Sequence, residues 1–92
     1  MYIILDIVYI IIYICIVNII LMNMKLSNDL KIMRFNKNQI TQEELAKKLE
    51  VSRQTINAIE NGKFNPSVKL ALIMAEFFEC NVENIFYLIK ED

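Results

Sequence analysis

From its first residue to Met22 the chain is apolar almost without interruption, a run of Ile, Tyr, Val, Leu and Cys broken only by Asp6 and Asn18. Beyond Met24-Lys25 the pattern changes. Apolar positions now recur every three or four residues, separated by charged and amide side chains. The first pattern predicts a helix that is hydrophobic on every side; the second predicts several short amphipathic helices. Residues 1–24 are therefore an apolar segment, and residues 25–92 are a separate soluble domain.

The domain reads as five helices with little strand signal. Ser27 is expected to cap a first helix running to about Asn36, with Leu26, Leu30 and Met33 on its apolar side. Thr41-Gln-Glu-Glu44 has the form of a capping box: the threonine hydroxyl accepts from the amide three residues on, and Glu44 reaches back. It opens a helix to about Leu49 that buries Leu45, Ala46 and Leu49. After the turn Glu50-Val51-Ser52, Ser52 caps a third helix to about Glu60, with Ile56 and Ile59 inward. Asn61-Gly62 ends it, the glycine supplying the left-handed residue past the C-terminus. Pro66-Ser67 opens a fourth helix to about Phe78, and Asn81 caps a short fifth one carrying Val82, Ile85 and Phe86. The expected fold is an all-α, compact five-helix domain with a small core and modest stability.

As a helix, Tyr2–Met22 would span roughly 31 Å, the thickness of a bilayer's hydrocarbon. Its ten isoleucines, at about −0.5 kcal/mol each, outweigh one aspartate costing about +3 kcal/mol. Lys25, Lys31, Arg34 and Lys37 follow, so an inserted segment would leave the domain on the cytoplasmic face. No basic residue precedes the run and no small-residue cleavage site follows it, unlike a secretory signal. Two other readings stand beside the anchor. The run is built of residues that A/T-rich codons encode, so it reads equally as upstream DNA translated from an early start, with Met22 or Met24 as the true one. It also reads as a packed apolar arm.

Composition narrows the chemistry. The chain has no His, no Trp, one Gly, one Pro and a formal net charge of −1. Lack of histidine removes the commonest general base and a common metal ligand. Cys15 and Cys80 make neither a zinc spacing nor a disulfide framework. No enzyme, cofactor, metal site or small-molecule ligand is expected, and the compartment is a reducing one.

The second and third helices, joined by a three-residue turn, suggest a helix-turn-helix. Ala46 is small where the two helices must cross closely, Val51 plugs the turn, and Ile56 closes the core beneath. Arg53, Gln54 and Asn57 share the opposite face of the third helix, at the end that enters the major groove in such motifs. Arginine can pair with guanine O6 and N7, and Gln or Asn with adenine N6 and N7. These three residues are therefore the candidate base readers. Between Thr41 and Lys63 four basic residues meet four glutamates, so nonspecific phosphate attraction should be modest.

Gln42-Glu-Glu-Leu-Ala46, Val51-Ser-Arg-Gln-Thr-Ile56, Ile59-Glu-Asn-Gly62 and Asn65-Pro-Ser67 together resemble the XRE/Cro–C1 family of bacterial and phage repressors, over about Lys25–Tyr87. The resemblance implies a lambda-repressor-like fold and phosphate contacts from Gln42 and Asn61, with Thr41, Ser52 and Lys63 assisting. It also implies an ion pair between Arg34 and Glu60 that fixes helix geometry. Three positions depart from the family pattern. Glu50 and Glu79 stand where glycine is usual, at a cost on the order of 1 kcal/mol each if held left-handed, and the loop Phe35–Ile40 is one residue longer.

The function expected is a sequence-specific DNA-binding transcriptional regulator, a repressor acting as a cytoplasmic homodimer on half-sites about 34 Å apart. The apolar C-terminal cluster of Phe77, Phe78, Ile85, Phe86 and Tyr87 belongs mainly to the core, its exposed part being the candidate dimer surface. Two alternatives are a regulator anchored in the membrane through residues 2–22, and an antitoxin-type interaction module that also binds DNA.

Overall fold

The computed structural model describes residues 2–91. Helix α1, Tyr2–Met22, is followed after one residue by strand β1, Met24–Asn28. Helices α2 (Leu30–Asn36), α3 (Gln42–Leu49), α4 (Arg53–Glu60) and α5 (Val68–Phe77) come next. A single 3-10 turn at Val82–Asn84 leads into strand β2, Phe86–Lys90. The fold is mostly helical, as the periodicity predicts.

Two local expectations are corrected at the ends of the domain. Ser27 caps no helix: it lies in β1, opposite Tyr87, in an antiparallel pair that runs from Met24 opposite Lys90 to Asn28 opposite Phe86. The start of α2 is instead organised by Asn28, whose Oδ1 accepts from the Leu30 amide at 3.1 Å while its Nδ2 donates to the Ile59 carbonyl at 2.9 Å. One amide thus closes the first turn of α2 and satisfies a carbonyl near the end of α4. The expected fifth helix shrinks to the 3-10 turn because Phe86-Tyr87-Leu88-Ile89 continues as strand, a state aromatic and branched side chains favour.

The other helix starts form as expected. Thr41 Oγ1 accepts from Glu44 N at 3.0 Å, Ser52 Oγ from Thr55 N at 3.1 Å, and Ser67 Oγ from Leu70 N at 3.1 Å. The return bond from Glu44 that would complete the capping box is not made among the described residues. Three helices end alike. After α3, α4 and α5 the amide two residues past the last full turn bonds back to a carbonyl, as in Val51 to Ala46, Lys63 to Ala58 and Cys80 to Ala75. That closure needs a left-handed residue. Gly62 provides it at φ 72°, whereas Glu50 and Glu79 are held there at 57° and 56°. Asn38 and Gln39, at 58° and 55°, take up the longer α2–α3 loop in the same conformation.

The core gathers Leu30, Leu45, Ala46, Leu49, Ile56, Ile59, Met74, Ala75, Ile85 and Phe86. Ala46 is 3% exposed, in keeping with the close crossing expected at that position. Phe77 and Phe78 pack edge to face at its margin, centroids 5.0 Å apart. Lys37 crosses to this side, its Nζ donating to the Phe77 carbonyl at 2.7 Å, where a cation suits the C-terminal end of α5. None of Ile3–Met22 is buried.

Candidate nucleic-acid interface

α3 and α4 are positioned by one buried ion pair. Arg34 on α2 is 8% exposed, and its guanidinium clasps Glu60 at the end of α4 through Nε–Oε2 at 2.6 Å and Nη2–Oε1 at 3.0 Å. Its third nitrogen donates to the Ile40 carbonyl at 2.8 Å, so the arginine joins α2, the loop before α3, and α4. The planar fork of arginine matches the carboxylate in two parallel bonds, which fixes orientation as well as distance. This is the pair expected from the sequence.

From Glu60 the network continues outward. Gln42 Nε2 donates to Glu60 Oε1 at 3.1 Å and to Asn57 Oδ1 at 3.2 Å. Asn61 Nδ2 donates to the same Asn57 oxygen at 3.3 Å. The first residue of α3 is thereby tied to two turns of α4.

Arg53, Gln54 and Asn57 are exposed, and together with Gln42 they line one open depression on the protein surface. The sequence-derived base readers are thus brought together on one face, with the N-terminus of α3 beside them. Thr41 and Ser52 are exposed at the N-termini of α3 and α4, their oxygens engaged as caps. Ser52 Oγ also lies 2.8 Å from Thr55 Oγ1. Asn61 and Lys63 are exposed past the end of α4. Two roles have no signal in the sequence. Asn28 is the clasp between α2 and α4, and the amide of Gln42 is turned inward to Glu60 and Asn57. Among the described residues no group of three His, Cys, Asp or Glu could hold a metal ion.

Two short capped helices locked nearly in contact, the second presenting long polar side chains to solvent, define a helix-turn-helix DNA-binding protein. The chain belongs to the helix-turn-helix family of transcriptional regulators: the HTH_3 family model matches residues 31–85. It is 57% identical over 67 residues to an HTH-type transcriptional regulator of Methanocaldococcus jannaschii, which covers 73% of this chain and 97% of that one. A regulator of the same type from Archaeoglobus fulgidus is 49% identical over 53 residues, 58% of this chain and 75% of its own. YgzD of Bacillus subtilis is 40% identical over 52 residues, 56% of this chain and 79% of its own. The XRE resemblance read from the motifs and the family match agree.

Proposed function

We propose that the chain is a sequence-specific transcriptional repressor that binds DNA as a homodimer, each copy laying α4 in the major groove. The observation that carries this reading is the convergence of exposed Arg53, Gln54 and Asn57 on one helix face beside Gln42. Arg53 and Gln54 suit guanine and adenine edges, respectively. The phosphate grip falls to the backbone amide of Gln42, because both hydrogens of its side-chain amide already have protein partners. Asn61 joins this face through its bond to Asn57, and exposed Lys63, Thr41 and Ser52 are the further candidates for phosphate contact. A domain with near-balanced charge gains little from counterion release alone, which favours two copies on half-sites about 34 Å apart. Arg53→Ala should weaken specific binding by about 1–3 kcal/mol and relax preference at one base position. Titration of the variant against its operator checks this; unchanged specificity removes Arg53 from base reading.

A second reading concerns location, and α1 supports it. A helix of 21 residues with none of Ile3–Met22 buried leaves an apolar surface on all sides. Water does not tolerate such a surface, and a bilayer does. In this reading the segment spans the membrane and holds the regulator at its inner face; without the segment the regulator is free in the cytoplasm. α1 lies outside the span of the family match. The intact mass of the protein made from its own chromosomal locus separates the two: a mass near 10.8 kDa keeps the anchor, and a mass equal to residues 24–92 removes it.

A further inference from the structure

We infer that Asn57 faces DNA as a hydrogen-bond donor only, and so selects guanine over cytosine and forgoes the paired bonds to adenine at the base it meets. The inference rests on the DNA-reading role proposed above for α4 and concerns which chemistry that residue reads.

Glu60 sets the direction of the hydrogen bonds around it. Both oxygens of its carboxylate accept from Arg34 in two short bonds, so each is an acceptor. The atom of Gln42 that meets Glu60 Oε1 at 3.1 Å must therefore be the donor Nε2. The same Nε2 lies 3.2 Å from Asn57, so the Asn57 atom there must be an acceptor, its Oδ1. Asn61 Nδ2 donates to that oxygen from the other side at 3.3 Å. A carboxylate thus fixes the orientation of amides that would otherwise be free to flip. With two donors on its oxygen, Asn57 has both acceptor sites filled. What remains is Nδ2 with its two hydrogens, on an exposed residue at the centre of the reading face.

The consequence departs from the usual pairing of asparagine with adenine. That pairing needs Oδ1 to accept from the adenine N6 amino group while Nδ2 donates to N7. Here the oxygen is engaged within the protein. In the major groove guanine offers two acceptors, O6 and N7, thymine offers O4, adenine offers N7 beside its amino group, and cytosine offers only amino hydrogens. An amide that shows only hydrogens suits guanine best, makes one bond at most to thymine or adenine, and finds no acceptor on cytosine. Gln54 has no side-chain partner among the described residues, so it keeps both its donor and its acceptor for base pairing. Gln42 is a positioning residue: it acts on the base through Asn57.

The test is selection of binding sites from a randomised duplex pool, using the full chain in detergent micelles. Wild type is compared with Asn57→Ala, Asn57→Asp and Gln42→Met, each checked for helical circular dichroism. The position read by Asn57 is the one whose preference Asn57→Ala flattens. Wild type is expected to favour guanine over cytosine there by about tenfold. Asn57→Asp keeps an oxygen for Gln42 and Asn61 but turns a second oxygen outward, so its preference should invert to cytosine or adenine. Gln42→Met frees one of the two acceptor sites on the Asn57 oxygen and should raise preference for adenine at that position alone. Adenine favoured by wild type there, or flattening without inversion in Asn57→Asp, overturns the inference while leaving DNA reading by α4 intact. If Asn57→Ala flattens no position, Asn57 reads no base and the inference fails. If wild type enriches no sequence at all, the DNA-reading proposal fails first and takes this inference with it.

Discussion

Glu60 carries three hydrogen bonds on a side chain only 4% exposed. Removing it strands the Arg34 guanidinium in the interior without its counter-charge, a change that costs about 3–5 kcal/mol. Glu60→Ala should therefore leave the domain largely unfolded at room temperature, as circular dichroism with urea titration would register; a loss under about 1 kcal/mol would show that Arg34 finds solvent instead. Glu50 and Glu79 point the other way. Each holds a left-handed φ that costs a side-chain-bearing residue about 1 kcal/mol. Both are exposed, and no hydrogen bond of their side chains offsets that strain among the described residues. Glu50→Gly and Glu79→Gly should each raise stability by about 1 kcal/mol, and because the sites sit after different helices the gains should add.

At the scale of elements, the two-stranded sheet joins the ends of the domain, and Tyr87 on β2 pins it to the start of α2 by donating to Asp29 Oδ1 at 2.7 Å. That bond raises the Tyr87 phenol above its ordinary value of 10.0. A raised folded-state value means the protonated phenol is favoured by folding. Its contribution is complete below pH 10 and is lost as the pH climbs through the raised value. Tyr87→Phe should flatten this alkaline part of the stability curve, measured as urea midpoint against pH, while leaving the neutral part lower by a constant amount. The helices and their caps were legible because each is set by neighbours in sequence: Thr41, Ser52 and Ser67 all cap where the motif places them. The strands were not legible. β1 and β2 are five residues each, lie at opposite ends of the domain, and have no strict alternation to announce them. Ser27 looked like a cap for the same reason: only the distant partner strand reveals that it belongs to an extended segment. In the site, the shared face of Arg53, Gln54 and Asn57, proposed to read bases, follows from helical spacing alone. The inward turn of the Gln42 amide depends on a carboxylate eighteen residues away in sequence, and nothing local encodes it.

On the scale of the whole molecule, the chain joins a regulator domain to an apolar helix that makes almost no use of it. Just past α1, the Asn23 carbonyl accepts from the Glu91 amide at 2.7 Å, and the family match does not include the helix. DNA recognition should therefore survive its removal. Residues 24–92 are expected to bind the same operator as the full chain in micelles, within about twofold. A large loss would mean that α1 contributes to assembly of the DNA-binding form. The proposed repressor function depends on α4 reading sequence in the major groove. The most direct measurement is selection of DNA sites by wild type and by Arg53→Ala in parallel. The expected result is a two-fold symmetric site whose halves lie about one helical turn apart, with a guanine preference that disappears only in the variant. Identical site preferences from the two proteins, or no enrichment by wild type, would contradict it.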